Sequence, residues 1–278
     1  MILNTIVKTD VMEGMKLLPD KSIDVIITSP PYNKVGLNGI RKDNPKNNWK
    51  QNIVYGGDMS IDNKPEDEYQ RWQIDFLNEC ERVLKDDGSL FYNHKNRINR
   101  GFIVSPYEWI LKSKMRVRQE ITWNRGGSNN VAPRRYIPSN EIIFWLTKSR
   151  SVSFIRPVGM KNKMETWNIG FKRNTEHPAP FPLEIPDTIL DCIPNNKGNK
   201  VVLDPFMGSG TVAISAIKHD FHWLGFELLD EYVNMANNRI KNFYDENYSN
   251  GIDYENYRKK VIHMFNIKKI ECDKCTTR

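Results

Sequence analysis

A doubly covered α/β fold on a mostly parallel sheet is what this 278-residue sequence predicts, and three observations carry that expectation. Short apolar runs, strand-like in length and composition, recur at 2–7, 24–28, 89–93, 118–123, 141–146, 200–203 and 222–225. Helical patterns lie between several of them, as at 68–84 and 210–218. Two runs end abruptly in turn chemistry, one in a double proline and one in a glycine-containing loop. Strands alternating with helices bury both faces of a parallel sheet, and such sheets bind ligands beyond the carboxyl ends of their strands.

Length and composition narrow the classes. One substantial domain with insertions fits this length better than two independent ones. Lys and Arg outnumber Asp and Glu by 41 to 34, a formal charge of +7 that favours an anionic partner such as nucleic acid. No apolar run approaches membrane-spanning length and no signal pattern opens the chain, so a cytoplasmic protein without membrane contact is expected. Of four cysteines, only Cys272 and Cys275 form a C-x-x-C, and no second Cys or His pair stands at zinc-finger spacing. No metal site is expected.

Two stretches interrupt the alternation. Residues 33–65 are rich in Asn, Gly, Lys and Asp, which reads as an inserted surface loop. Residues 150–176 are basic and weakly periodic yet carry Phe154, Trp167 and Phe171. Cations interleaved with aromatics suit phosphate contact and base stacking, although a solvated insertion has the same look.

The sharpest chemical signal is Thr28-Ser29-Pro30-Pro31-Tyr32, directly after the run 23–27. Two prolines cannot continue a ladder, so the strand ends in a rigid extended turn. An exocyclic amino group offers two N–H donors and a conjugated lone pair. Acceptors at Ser29 and the Pro30 carbonyl would bind those donors and weaken the conjugation, while Tyr32 would stack on a flipped base. A proline-rich loop holding a buried tyrosine is the plainer alternative. The second signal, at 201–211, is a buried strand running into Asp204-Pro205-Phe206-Met207-Gly208-Ser209-Gly210-Thr211 and then a helix. Gly208 and Gly210 permit a tight turn, and the helix start offers free N–H groups to an anion. Glu227, after the run 222–225, stands where a carboxylate accepts ribose hydroxyls, or simply opens a helix.

These strings resemble the motifs of the DNA amino-methyltransferases. Ser29 to Tyr32 is similar to motif IV, in which Ser at the first position is typical of cytosine-N4 enzymes and Asp of adenine-N6 enzymes. Asp204 to Thr211 resembles cofactor motif I, with Glu227 as the ribose ligand and Asp10 as the carboxylate near the adenine. His177, Pro178 and Phe181, in the proline-dense stretch before motif I, look like motif X. Segments 123–127 and 136–141 resemble those near the target base, with Asn140 where many members carry His. The order of motifs, catalytic first and cofactor second, is that of the β group.

The resemblance implies a Rossmann-like S-adenosylmethionine-dependent methyltransferase fold, a mostly parallel seven-stranded sheet with one antiparallel strand, in permuted order. Its catalytic half would be 1–149, a target-recognition segment 150–176, the cofactor half 177–240, and a C-terminal extension 241–278. In this frame Asp204 holds the methionine end of the cofactor, Phe206 packs near the sulfonium, and Ser209 to Thr211 take the carboxylate. Arg134, Arg135, Arg156, Lys161 and Arg173 become candidate DNA contacts. The implied function is site-specific methylation of cytosine N4 in duplex DNA within a restriction-modification system, with a cognate endonuclease acting separately and a homodimer among the open assembly states. Adenine-N6 methylation is the nearest alternative, ahead of RNA methylation and a non-catalytic DNA-binding module. No covalent intermediate is needed, and none of the cysteines stands in the Pro-Cys turn that carbon-5 methylation would use.

Overall fold

The chain is described by a computed structural model over residues 2–33, 64–127, 135–170, 182–195 and 198–248. Ten strands and six helices follow in chain order among these residues: β1 (Thr5–Lys8), α1 (Val11–Lys16), β2 (Ile23–Thr28), α2 (Glu66–Val83), β3 (Leu84–His94), β4 (Arg97–Asn99), β5 (Phe102–Val104), α3 (Tyr107–Ile110), β6 (Arg116–Asn124), β7 (Asn140–Thr147), β8 (Thr166–Asn168), α4 (Glu184–Leu190), β9 (Val201–Asp204), α5 (Thr211–Lys218), β10 (His222–Glu227) and α6 (Asp230–Tyr248). Eight strands form one sheet in the order β1-β10-β9-β2-β3-β7-β6-β8, and β4 and β5 make a separate hairpin. All ladders of the large sheet are parallel except the two made by β7. The single reversed strand is thus as expected. The sheet has eight strands instead of seven because Thr166–Asn168, within the weakly periodic basic segment, pairs with β6.

Alternation along the strands divides the core between two faces. Val202, Trp223, Phe91, Ile143 and Trp145 point to the face covered by α4, α5 and α6. Leu203, Leu224, Tyr92, Phe144 and Leu146 point to the face covered by α1, α2 and α3. Helix α2 starts at Pro65 with Glu66, Asp67 and Glu68 in its first turn, where carboxylates complement the helix dipole. It ends where Leu84 turns extended and becomes the first residue of β3.

The base-stacking expectation for the basic segment is corrected at two residues. Trp167 is buried in the core and Phe154 packs on Trp145 with ring centroids 4.7 Å apart, so these two aromatics serve packing and are not presented to a base. Around position 240, where the cofactor half is expected to end, Ile240 is fully buried in the middle of α6, which continues to Tyr248. The remainder of the expected C-terminal extension, with Cys272 and Cys275, lies outside the described residues, as do 34–63 of the inserted loop.

Gly225, in the middle of β10, makes room for the turn that follows β9. Met207 donates its N–H to the Phe226 carbonyl at 2.8 Å and lays its side chain across Gly225, where a Cβ would stand 1.9 Å from Met207 Cε. Gly225→Ala should therefore cost about 1–3 kcal/mol through overpacking. A denaturant titration checks this, and unchanged stability would contradict the contact.

Candidate active site

The catalytic candidates gather at the carboxyl edge of the sheet. Beyond Thr28 the Pro30-Pro31 pair stops β2, and the Pro31 carbonyl accepts the Tyr69 hydroxyl of α2 at 2.8 Å. Asn33 and Lys64 exchange two hydrogen bonds of 2.8 Å, which clasps the two ends of the intervening loop. The chain reversal turns Tyr32 inward, 8% exposed, with its ring tilted over His94 at a centroid distance of 4.5 Å. Its hydroxyl lies 2.9 Å from Ser29 Oγ, donates to Glu141 Oε2 at 2.9 Å, and accepts from Asn93 Nδ2 at 2.7 Å.

Strand direction explains how these groups meet. Asn93 is near the end of β3, whereas Glu141 is the second residue of β7, and only a reversed strand brings its beginning to the carboxyl edge of the others. The other Glu141 oxygen, Oε1, is held by Arg125 Nη1 at 2.8 Å, from the residue after β6. Asn93 Nδ2 also donates to Glu141 Oε2 at 2.9 Å and approaches Ser29 Oγ at 3.3 Å. Behind this cluster His94 Nε2 meets the Tyr69 hydroxyl at 2.8 Å. Arg97, paired with Glu66, lies over the Tyr69 ring at 4.5 Å. These contacts make a rigid floor under the turn.

The glycine-containing loop lies one strand away, because β2 and β9 are neighbours. Asp204, the last residue of β9, accepts Thr28 Oγ1 at 2.9 Å and the Phe206 N–H at 3.1 Å through one oxygen. Burial pushes its carboxyl up to about 7, with the Glu227 charge adding to the rise and the two hydrogen bonds opposing it. Gly208 and Gly210 adopt positive φ of 50° and 77°, and a Cβ on Gly210 would stand 2.9 Å from Ile240 of α6. Arg239 of α6 donates to the Ser209 carbonyl, Ser209 Oγ and Thr211 Oγ1 at 2.8–3.0 Å. Glu227 accepts the Gly208 N–H on one oxygen and the Leu228 and Leu229 N–H groups on the other, and burial raises its pKa. Phe206 packs edge-on against Phe76 and Trp72 of α2, with ring centroids 5.2 and 5.9 Å away.

The predicted residues thus fall into groups. Ser29 and Tyr32 share one cluster, with Pro30 and Pro31 forming its backbone; Asp204, Phe206, Gly208 and Glu227 share the loop, with Pro205 buried between them. Ser209, Gly210 and Thr211 join through Arg239 and α6. Asp10 caps α1, accepting the Met12 N–H at 2.8 Å. Arg135 is exposed beside Tyr136, 99% exposed, in the connection between β6 and β7. Lys161 instead pairs with Glu184 at the start of α4. Arg156 lines a recess of about 120 Å³ with Phe91, Trp145 and Phe154 on the face that α4 covers. Arg134, Arg173, His177, Pro178 and Phe181 lie outside the described residues.

Asn93, His94 and Arg239 escaped the sequence reading as site residues, whereas Arg125 and Glu141 stand in the segments 123–127 and 136–141 that resemble those near the target base, without a role of their own. Asn93 closes an apolar run and looks like a strand end, so nothing local marks it. Cys80 and Cys192 are both buried, and burial pushes the Cys192 thiol up to about 11, so neither supplies a thiolate.

Comparison with known proteins is consistent with this geometry. The family described as DNA methylase, of the N6/N4 type, matches residues 23–238. Type II methyltransferase M.BglII of Bacillus subtilis is 28% identical over 281 residues, covering 88% of this chain and 71% of that protein. The solved structure of PvuII DNA methyltransferase, cytosine-N4-specific, superposes with a TM-score of 0.67 at 20% identity, covering 94% of this chain and 90% of that one. TTHA0409 of Thermus thermophilus, a DNA modification methylase solved in complex with S-adenosyl-L-methionine, gives a TM-score of 0.57 at 20% identity, covering 86% and 95%.

The raised Asp204 value makes a pH dependence. The neutral carboxyl is favoured in the folded chain, so its contribution is full below the ordinary value of 3.8 and is lost as pH rises to about 7. The loss is on the order of 4 kcal/mol at 1.36 kcal/mol per pKa unit. Asp204→Asn keeps an acceptor for Thr28 and Phe206 and should flatten the decline between pH 5 and 7.5. Denaturant titrations at the two pH values check this, and an unchanged slope in the variant would contradict it.

Proposed function

Because the chain belongs to the N6/N4 DNA methylase family, we propose that it transfers a methyl group from S-adenosylmethionine to the exocyclic N4 of cytosine in duplex DNA. We assign it to the modification side of a restriction-modification pair, as with the type II methyltransferase it resembles. The observation that carries the reading is the hydrogen bond of 2.9 Å between Thr28 and Asp204. It sets the turn that would hold the amino group beside the loop that would hold the cofactor. Proximity of two bound reactants is the larger part of what a direct transfer requires.

The residues present fit the cofactor. The carboxylate of Glu227, already held by three backbone donors, retains acceptor capacity for ribose hydroxyls. The positive-φ glycines bring backbone N–H groups to the start of α5, where an anionic carboxylate is welcome. Asp204 suits the methionine ammonium, Phe206 the region of the sulfonium, and Asp10 the adenine amino group. His177, Pro178 and Phe181 are assigned to the cover of the methionine end. When bound, the cofactor supplies an electrophilic methyl on sulfur.

Ser29 and the Pro30 carbonyl accept the two amino N–H donors and free the nitrogen lone pair from conjugation, while the Tyr32 ring holds the extruded base. Ser29, where adenine enzymes commonly have Asp, favours cytosine, in line with the fold neighbour described as cytosine-N4-specific. Arg134, Arg135 and Arg173 remain candidate contacts to DNA, together with Arg156 and, once released from Glu184, Lys161.

Incubation with duplex DNA and methyl-labelled cofactor, followed by nucleoside analysis, should yield N4-methylcytosine. N6-methyladenine would keep the mechanism and overturn the base assignment; label absent from DNA of varied sequence would overturn both. Tyr32→Ala should leave cofactor affinity within about threefold while lowering turnover at least ~100-fold, the scale of a misplaced reactant. Normal turnover would remove the stacking role.

A further inference from the structure

We propose that Glu141 is the proton-accepting end of a relay that starts at Ser29 and passes through Tyr32. This rests on the amino-methylation reading above and deepens it by naming where the displaced proton goes. The turn itself carries no carboxylate: its residues are Thr28, Ser29, two prolines and Tyr32. A carboxylate is nevertheless delivered to it from β7, with Glu141 Oε2 2.9 Å from the Tyr32 hydroxyl, which is in turn 2.9 Å from Ser29 Oγ.

The direction of these hydrogen bonds follows from the chemistry of their ends. An ionised carboxylate only accepts, so Tyr32 donates to Glu141. The Tyr32 oxygen then accepts from Ser29, whose remaining lone pairs are left to accept an N–H from the substrate. Asn93 enforces the same polarity. It is 1% exposed, its Nδ2 faces Ser29, Tyr32 and Glu141, and its Oδ1 has no hydrogen-bond partner among the described residues. Leaving a buried acceptor unpaired is unfavourable. Turned about, however, the amide oxygen would face the Glu141 carboxylate at 2.9 Å. Arg125, at 2.8 Å from Oε1, balances the negative charge that the relay needs at rest.

The step balances. The amino nitrogen forms a bond to the methyl carbon of the sulfonium donor as the carbon–sulfur bond breaks, and one N–H proton passes to Ser29 Oγ. The Ser29 proton moves to the Tyr32 oxygen, and the Tyr32 proton moves to Glu141 Oε2. Ser29 and Tyr32 end as neutral hydroxyls and Glu141 as a neutral acid, which later returns the proton to solvent. Glu141 acts through the two hydroxyls and is a positioning and proton-accepting residue without contact to the base.

The test is single-turnover methylation by Glu141→Gln, which keeps the shape but not the basicity. The rate should fall about 100-fold or more, the usual scale of a lost proton acceptor. Cofactor affinity by calorimetry and melting temperature should stay near those of the wild type. Tyr32→Phe, which cuts the chain while sparing the Glu141–Arg125 pair, should show the same loss, and the double variant should be no slower than either single one. Ser29→Asp, placing a carboxylate at the first position, should restore at least tenfold to Glu141→Gln. A Glu141→Gln rate within threefold of wild type would overturn the relay. So would additive losses in the double variant. A wild-type protein that methylates neither cytosine nor adenine would instead overturn the reading on which the relay rests.

Discussion

Thr28 and Asp204 are 176 residues apart in sequence and share one buried hydrogen bond, and the arrangement of the active edge depends on it. The bond joins the last residue of β2 to the last residue of β9, so it ties the turn before Tyr32 to the loop before Thr211 at the level where both chains leave the sheet. Its net value is about 1 kcal/mol, small beside the core, but its position is what matters. The same Asp204 oxygen fixes the Phe206 N–H and thereby the exit of the glycine loop, and Phe206 leans on α2, whose Tyr69 holds the Pro31 carbonyl. The two halves of the site brace one another through both strand and helix.

The reversed strand β7 supplies what a purely parallel sheet would lack. In a parallel sheet every strand offers its carboxyl end to the site, and a residue opening a strand lies on the far edge. By running the other way β7 brings Glu141 to the active edge, between Asn93 of β3 and Arg125 beyond β6. Its interior stays apolar, with Ile143 and Trp145 on one face and Phe144 and Leu146 on the other, so the strand is anchored in both core layers while its first residues carry charge. The buried ion pair with Arg125 contributes placement more than stability.

Much of the fold was legible in the sequence because its strands are short continuous apolar runs, as strands buried on both faces of a sheet are. The runs at 24–28, 89–93, 118–123, 141–146 and 222–225 all fall in observed strands. The three-residue β8 was not legible, since so short a piece has no period, and its basic surroundings suggested a nucleic-acid contact where Trp167 is in fact core. Ser29, Tyr32, Asp204 and Glu227 were legible because turn and loop chemistry is local. Asn93 was not, and Glu141 and Arg125 were marked only as members of segments near the target base, because each comes from a different part of the sheet and only the sheet order brings them to Tyr32. Arg239 likewise gains meaning only when α6 packs beside the glycine loop. The sequence marked α6 only by the carboxylate at its start, and the helix runs across the place where the domain was expected to end.

The central claim is that one carboxyl edge serves cofactor and base together. A crystal structure of the protein with S-adenosylhomocysteine and a duplex bearing the sequence it methylates tests this most directly. The account expects one cytosine out of the helix, its amino nitrogen within hydrogen-bond reach of Ser29 Oγ and the Pro30 carbonyl, and the cofactor ribose on Glu227. A cofactor seated away from the loop between Asp204 and Thr211, or a target base held without contact to the turn of Ser29 and Pro30, would contradict it.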